Sequence, residues 1–365
     1  MIDPQVVETP IGVVDVDRAR RNAERVVAYA TEHGLAWRPH IKTHKSLDIA
    51  RIQLEAGARG LTVATLREAE VMAELTDDLL LAYPQIGEAK LRRLVALPPA
   101  LDLKVAIDSE DALRPMAEAA VEAGRTIGVL VEQDVGMGRV GVRDTAAVVD
   151  LASTVARLDG VEFRGVLLYP GHIRMPEAEQ AEHIEIVARR IEETVDELRR
   201  AGLEPEIVSG GSTPTLWRSH DFPHLTEIRS GSCIYFDREG LDLGFASADD
   251  IAYTVLATVV STAVPGRAVV DAGSKALSKE DRGGGGGGYG VLLDRPEVVV
   301  LGLSEEHGVL DISDTTWTPT IGERVRIVPN HVCVSVNLND HLLGVSGDAW
   351  SSLALEGRGR GSWPS

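Results

Sequence analysis

The feature that most constrains this chain is a change of period repeated along residues 36–230. Short apolar runs at 36–42, 60–64, 79–83, 103–107, 126–132, 164–169, 206–209 and 227–230 read as strands. Between most of them, apolar residues recur at helical spacing over 45–56, 66–75, 87–97, 109–123, 144–157 and 177–201. Strands separated by helices pair in parallel and need both faces covered. Eight such units predict a parallel (β/α)8 barrel; a doubly wound open sheet is the alternative, because periodicity does not show closure. A strand at 11–16 and a helix at 17–33, with Asp17 as N-cap, lead into the first unit. The barrel domain is therefore assigned to residues 11–245.

Near residue 250 the pattern changes. Residues 251–261, 267–271, 297–303, 309–312, 323–328 and 341–345 read as strands with no long helix between them. They define a C-terminal all-β domain at 246–355, on which residues 1–10 are expected to pack. Residues 283–288 are six consecutive glycines and read as a mobile surface loop. They do not read as a phosphate cradle, since neither a helix start nor Lys-Ser/Thr follows. Residues 356–365, rich in glycine and arginine, are expected to be a disordered tail.

Charge narrows the partners. Lys plus Arg number 37 against 56 Asp plus Glu, a net −19, which argues against nucleic acid or an anionic membrane. No apolar run approaches the roughly 20 residues that span a bilayer. The start Met1-Ile2-Asp3-Pro4 lacks the basic-then-apolar pattern of a signal peptide, and two cysteines make no disulfide framework. A soluble cytoplasmic protein is expected.

The stretch from Trp37 to Lys45 carries the first chemical signal. Read as an extended strand, it puts Arg38, His40, Lys42 and His44 on one side. Four cation-capable groups do not make an ordinary core, because unpaired buried charge is costly. Either the face is a solvated basic edge or an anionic ligand lies on it; the flanking helices favour the ligand. A lysine among other cations is also eased toward its neutral, nucleophilic form. In a barrel, groups at strand C-termini face the active-site mouth. Besides Lys42, that placement collects Arg139 in a glycine-flanked loop, Tyr169 and His172 in Tyr-Pro-Gly-His, and Gly211, Ser212 and Thr213 in Gly-Gly-Ser-Thr-Pro-Thr. Gly231 and Tyr235 follow the last strand. The glycines and hydroxyls after strands seven and eight suit a phosphate.

In the β domain, His331 and Cys333 stand two apart. On an extended segment they project to the same face, as two ligands of one ion must. Imidazole with thiolate suits zinc, and two protein ligands leave open positions, as catalytic sites do. The same spacing also describes a buried cysteine beside an unrelated histidine.

Five segments together resemble a known family: Arg38-Pro39-His40-Ile41-Lys42-Thr43-His44-Lys45, Gly210-Gly211-Ser212-Thr213-Pro214-Thr215, Asp271-Ala272-Gly273-Ser274-Lys275-Ala276, Ser304-Glu305-Glu306-His307-Gly308 and Pro329-Asn330-His331-Val332-Cys333. They are similar to the D-threonine aldolase and D-serine dehydratase family, with the alanine-racemase-like fold (fold type III) of pyridoxal-phosphate enzymes. The resemblance runs from about Thr9 to Val345. It implies a β/α barrel carrying pyridoxal 5'-phosphate (PLP), a C-terminal β domain and a homodimer. It further implies Lys42 as the Schiff-base lysine and base at Cα, and Arg139 at the cofactor's phenolic oxygen. Gly211, Ser212, Thr213 and Tyr235 would hold the phosphate, with His40 and Gly231 also against the cofactor. Tyr169 would face the pyridine nitrogen, His331 and Cys333 would hold a divalent metal, and His172 would serve the substrate. The aldolases carry His-x-Asp, suited to manganese, and the dehydratases His-x-Cys. Cys333 therefore leans the expectation to zinc and to β-elimination from a D-3-hydroxy amino acid. Retro-aldol cleavage to glycine and an aldehyde is the alternative, and a racemase or a non-catalytic PLP carrier stands behind both.

Overall fold

The computed structural model describes residues 2, 6–280 and 287–362. In chain order the elements are β1 (Ile11–Asp15), α1 (Val16–Glu32), β2 (Ala36–Trp37), α2 (Leu47–Ala56), β3 (Leu61–Val63), α3 (Leu66–Met72), β4 (Asp78–Leu81), α4 (Glu88–Val95), β5 (Asp102–Ile107), α5 (Glu110–Glu122), β6 (Ile127–Gln133), α6 (Thr145–Val155), β7 (Val161–Leu168), α7 (Ala181–Arg200), β8 (Ile207–Gly210) and β9 (Glu227–Ile228). There follow α8 (Arg238–Leu243), β10 (Tyr253–Ser261), β11 (Arg267–Val270), α9 (Ser274–Leu277), β12 (Gly290–Leu292), β13 (Val300–Leu303), β14 (Gly308–Asp311), β15 (Arg324–Pro329), α10 (Val332–Leu338), β16 (His341–Ser346) and β17 (Ala349–Ala354).

The chain forms two compact units. One comprises Glu24–Gly231 with the residues from Glu356 on; the other comprises the residues up to Ala23 with Ser232–Leu355. In the first, eight parallel strands run in the order β2-β9-β8-β7-β6-β5-β4-β3. The ring closes where His40 bridges Thr62 in parallel and Thr62 N donates to Pro39 O at 2.9 Å. The barrel expectation holds, and the open-sheet alternative falls. Its strands read as apolar runs because both faces are covered: every residue of β6 is buried. Helices pack by one stripe, as in α7, where Ile184, Val187, Ile191, Val195 and Leu198 are buried at helical spacing.

One residue from each of β4 to β8 joins a single buried cluster: Leu80, Ala106, Leu130, Leu167 and Ile207. Two positions earlier on β4 and β5, hence on the same face, stand Asp78 and Lys104. With Arg38 and Glu227 they build a buried ionic layer. Arg38 donates to Glu227 at 2.9 Å and to Asp78 at 2.5 Å, and Lys104 to Asp78 and Asp102 at 2.5 Å each. Removing Arg38 alone would leave the buried Glu227 carboxylate without its hydrogen-bonded cation, while Lys104 still holds Asp78; breaking such a pair costs about 3–5 kcal/mol.

The second unit is built on a nine-stranded sheet with the main order β13-β14-β11-β10-β1-β16-β17 and β15 pairing both β10 and β12. The strand at Ile11–Asp15, assigned to the barrel from sequence, lies here: β1 pairs antiparallel with β10 and parallel with β16. Its alternate residue Val13 packs with Leu256 and Leu343, joined by Ile2, Val7 and Trp350. Burying that apolar face on β10 and β16 is what draws the strand into this sheet. The division after Gly231 likewise falls earlier than the expected boundary at 245. Residues 356–362 are not a disordered tail; they hydrogen-bond along the barrel unit, as when Arg67 donates to Glu356 O at 2.8 Å and to Ser362 O at 3.0 Å. Most of the glycine run, residues 283–286, lies outside the described residues. No helix among the described residues is long and apolar enough to cross a membrane.

Candidate active site

The segment read as a strand bearing four cations is built differently. After two strand residues the chain turns, and Lys42 sits in a 3-10 turn, Ile41–Thr43, N-capped by His40. Alternation therefore fails, and the four groups part. Arg38 is buried in the ionic layer. His44 is fully buried; its Nδ1 accepts from Ser46 N at 3.2 Å and its Nε2 meets Gln53 Oε1 at 3.0 Å. Burial, against those two hydrogen bonds, holds its pKa down at about 3. Burial, then Lys42 and Arg229, likewise keep His40 well below the usual imidazole range. Lys42 alone is exposed, and among the described residues its ammonium has no ion pair or side-chain hydrogen bond. An amine without a carboxylate partner is available to bond to a carbonyl carbon.

Next to this turn lie the loops after β8 and β9. Gly211 takes a left-handed φ of +81°, which favours glycine. A side chain at Gly231 would run into the His40 carbonyl, so only glycine lets this loop touch the lysine turn. Ser230 Oγ donates to Ser212 O at 2.9 Å, and Trp37 Nε1 to Ser230 O at 2.9 Å, fixing the two loops together. Gly211, Ser212 and Gly231 are buried, yet among the described residues their amides donate to no protein acceptor. Buried N–H groups are almost always paired. Three orphans together suit a phosphate and fit PLP. Thr213 is buried beside them, and the Ser212 hydroxyl meets Thr215 Oγ1 at 2.9 Å.

The loops after β6 and β7 bring Arg139 over the Tyr169 ring at 4.9 Å. Asp134 does not pair with Arg139; it accepts from Gly136 N and Gly138 N at 3.0 Å each and from Arg143 at 3.2 Å, which shapes the loop. The Gly136 position closes on the His172 ring: a Cβ there would lie 2.9 Å from Cε1. Among the described residues, the buried His172 Nδ1 has no hydrogen-bond partner. Burial, then His183, lower its pKa, with Asp134 opposing. Two residues that sequence reasoning missed belong to this region. Glu132 is buried at the end of β6 with its pKa raised by burial against Arg229 and Arg139. Arg229 donates to Leu168 O at 2.7 Å and Ser209 Oγ at 2.8 Å, and burial lowers its pKa to about 10. Neither lies in a recognisable local motif.

In the β unit, Tyr235 is buried at 5.9 Å from the Tyr253 ring, its pKa raised by burial and then by Tyr253. His331 and Cys333 do not lie on an extended segment: His331 is the N-cap of α10 and Cys333 sits in its first turn. They still converge. The His331 imidazole and the Cys333 sulfur interact, and among the described residues the buried Nδ1 makes no hydrogen bond. Nδ1 lies 3.5 Å from the buried Asp237 carboxylate. Burial lowers the His331 pKa, but Cys333 and then Asp237 outweigh it and raise it to about 10. Asp237, pushed up to about 6 by burial, accepts from Val332 N at 3.0 Å. Among the described residues no group of three or more His, Cys, Asp or Glu side chains could hold a metal. A nitrogen and a sulfur that face one another fit a borderline-soft ion such as zinc.

These features define a class. The chain belongs to the alanine racemase N-terminal domain family, which matches residues 14–239, followed by a serine dehydratase domain at 252–345. Several relatives that match nearly the whole chain are named as dehydratases or aldolases. It is 35% identical to the D-threo-3-hydroxyaspartate dehydratase of Delftia sp. (strain HT23), over 96% of this chain and 95% of that one. It is 34% identical to the D-threonine aldolase of Arthrobacter sp., over 95% and 93%. Among solved structures, the D-threonine aldolase of Filomicrobium marinum superposes with a TM-score of 0.89 at 32% identity, covering 97% of each chain. A D-threo-3-hydroxyaspartate dehydratase with one cysteine replaced by alanine, in a metal-free form, superposes with a TM-score of 0.86 at 32% identity, covering 97% and 99%.

Proposed function

We propose that this chain is a lyase, dependent on PLP and a divalent metal, that acts on D-3-hydroxy amino acids. Its preferred reaction is β-elimination to a 2-oxo acid and ammonia. What supports the reading is an unpaired Lys42 amine on a turn that touches the Gly231 loop, together with three buried amides without acceptors among the described residues. Bound there, PLP would supply an electron sink for charge at Cα, and a metal ion would supply Lewis acidity at the β-oxygen. The chain's own residues do the rest. Lys42 binds the cofactor and removes the Cα proton. The amides of Gly211, Ser212 and Gly231, with the Ser212 and Thr213 hydroxyls, hold its phosphate, and Tyr235 adds to them. His40 lies beneath, Arg139 binds its phenolic oxygen, and Tyr169 faces its pyridine nitrogen. His172, with an unused ring nitrogen, orients the substrate. His331 and Cys333 hold the metal, zinc before manganese. The protein acts as a cytoplasmic homodimer.

Elimination is favoured by the thiol at position 333, since a sulfur donor with imidazole matches zinc. The similarity to two D-threonine aldolases supports retro-aldol cleavage as the second reading. Incubation with D-threonine, PLP and zinc or manganese separates them. 2-Oxobutyrate with ammonia is expected; glycine with acetaldehyde would reverse the order. Neither product, with any D-3-hydroxy amino acid, would end the proposal.

A further inference from the structure

Residues 356–362 cross the surface of the barrel unit and are tied to the turn that carries Lys42. Gly357 N donates to Lys45 O at 2.8 Å, and the Glu356 carboxylate accepts from Leu47 N at 3.1 Å. Beyond them, Arg67 donates to Glu356 O and Ser362 O, and Arg93 to Arg360 O at 3.0 Å. The tie lands where the turn needs holding. Lys45 has φ +55°, a conformation that a residue with a Cβ keeps only where its surroundings enforce it. Its amide bonds Ile41 O at 2.9 Å, its ammonium pairs with the buried Glu68, and its carbonyl is taken by Gly357. Directly after it, α2 begins without a local cap. Ser46 makes no cap bond, and among the described residues its buried hydroxyl has no hydrogen-bond partner. Glu356 supplies the missing acceptor and puts negative charge at the helix N-terminus.

We propose that Glu356 and Gly357 are positioning residues for Lys42, fixing the end of its turn and hence the place of its amine beside Gly211, Ser212 and Gly231. This rests on the reading of Lys42 as the cofactor lysine. Gly357 is not in the left-handed region. Its fit is one of space, because a Cβ would lie 3.2 Å from Lys45 O and 3.5 Å from Lys45 Cα. A branched side chain there presses on the turn itself.

The test uses full-length Glu356→Ala and Gly357→Val, each freed of cofactor and titrated with PLP beside the parent protein and Lys42→Ala. The readouts are the visible cofactor absorbance, the midpoint of its pH titration and the PLP Kd. Both variants should keep the parent's circular dichroism, shift the midpoint and raise the Kd about tenfold, near the worth of one hydrogen bond to a charged group. A parent-like Kd and midpoint, with only a lower Tm, would make the segment a stabilising strap and overturn the proposal. If Gly357→Val does not fold, Gly357→Ala is read in the same way. Should Lys42→Ala keep the absorbance, the lysine assignment and this inference fall together. Should it lose the absorbance while both strap variants match the parent, this inference alone falls.

Discussion

Two helix starts, α2 in the barrel unit and α10 in the β unit, solve one problem in the same way. Each follows a residue singled out for chemistry: Lys42 five positions before Leu47, and His331 as the N-cap itself. In neither does the N-cap side chain make a cap hydrogen bond. The first amide of each is taken by a carboxylate from far along the chain: Glu356, 309 residues from Leu47, and Asp237, 95 residues from Val332. They differ in what lies around. The lysine turn is held at its end by the Lys45–Glu68 pair and leaves the Lys42 amine exposed, whereas the His331 ring itself lies against a thiol and a carboxylate. A nucleophile needs an unpaired amine; a metal ligand needs a fixed ring.

The largest expected effect comes from exchanging losses between the two regions. Lys42→Ala should abolish the visible cofactor absorbance and leave bound metal unchanged. Cys333→Ala should remove the metal, read by elemental analysis, and leave the absorbance. Loss of both by either substitution would break the division of labour.

Asp237→Asn keeps an acceptor for Val332 N but weakens the partner of the His331 ring, and outer-shell changes of this kind typically cost about 10–100-fold in metal affinity. Zinc competition titration should show that loss with PLP Kd unchanged; unchanged zinc affinity would leave Asp237 as a helix cap alone.

The smallest effect concerns acid. His44 has a folded pKa of about 3, against about 6.5 unfolded. Between those values the unfolded chain takes up a proton that the folded chain refuses. Stability therefore rises with pH and is lost on acidification, by up to about 1.4 kcal/mol per pH unit from this group. Urea unfolding at several pH values below 6.5 should give a shallower slope for His44→Gln than for the parent. Parallel slopes would mean that His44 is not held neutral.

The barrel was legible because parallel strands buried on both faces are near-continuous apolar runs, as in β6. β17 escaped because its face is mostly exposed and Ser351 and Ser352 interrupt any alternation. β1 was legible as a strand but not as a member of the β unit, since pairing with β10 and β16 joins residues more than 200 positions apart. In the lysine segment, the alternation of Arg38, His40, Lys42 and His44 imitated one strand face. Arg38 is answered by Glu227 and Asp78, which no local pattern announces, while His40 and His44 are taken up by local hydrogen bonds to Lys42 N and Ser46 N. His331 and Cys333 were legible as a pair although the geometry was misread, because an N-cap and the first turn of a helix also bring their side chains together. Their supports, Asp237 for one region and Glu356 for the other, are isolated acidic residues in an acidic chain.

The most direct measurement is to load the protein with PLP, reduce it with borohydride and map the modified peptide by mass spectrometry. A single cofactor adduct on Lys42 is expected. An adduct on another lysine, or none, would contradict it.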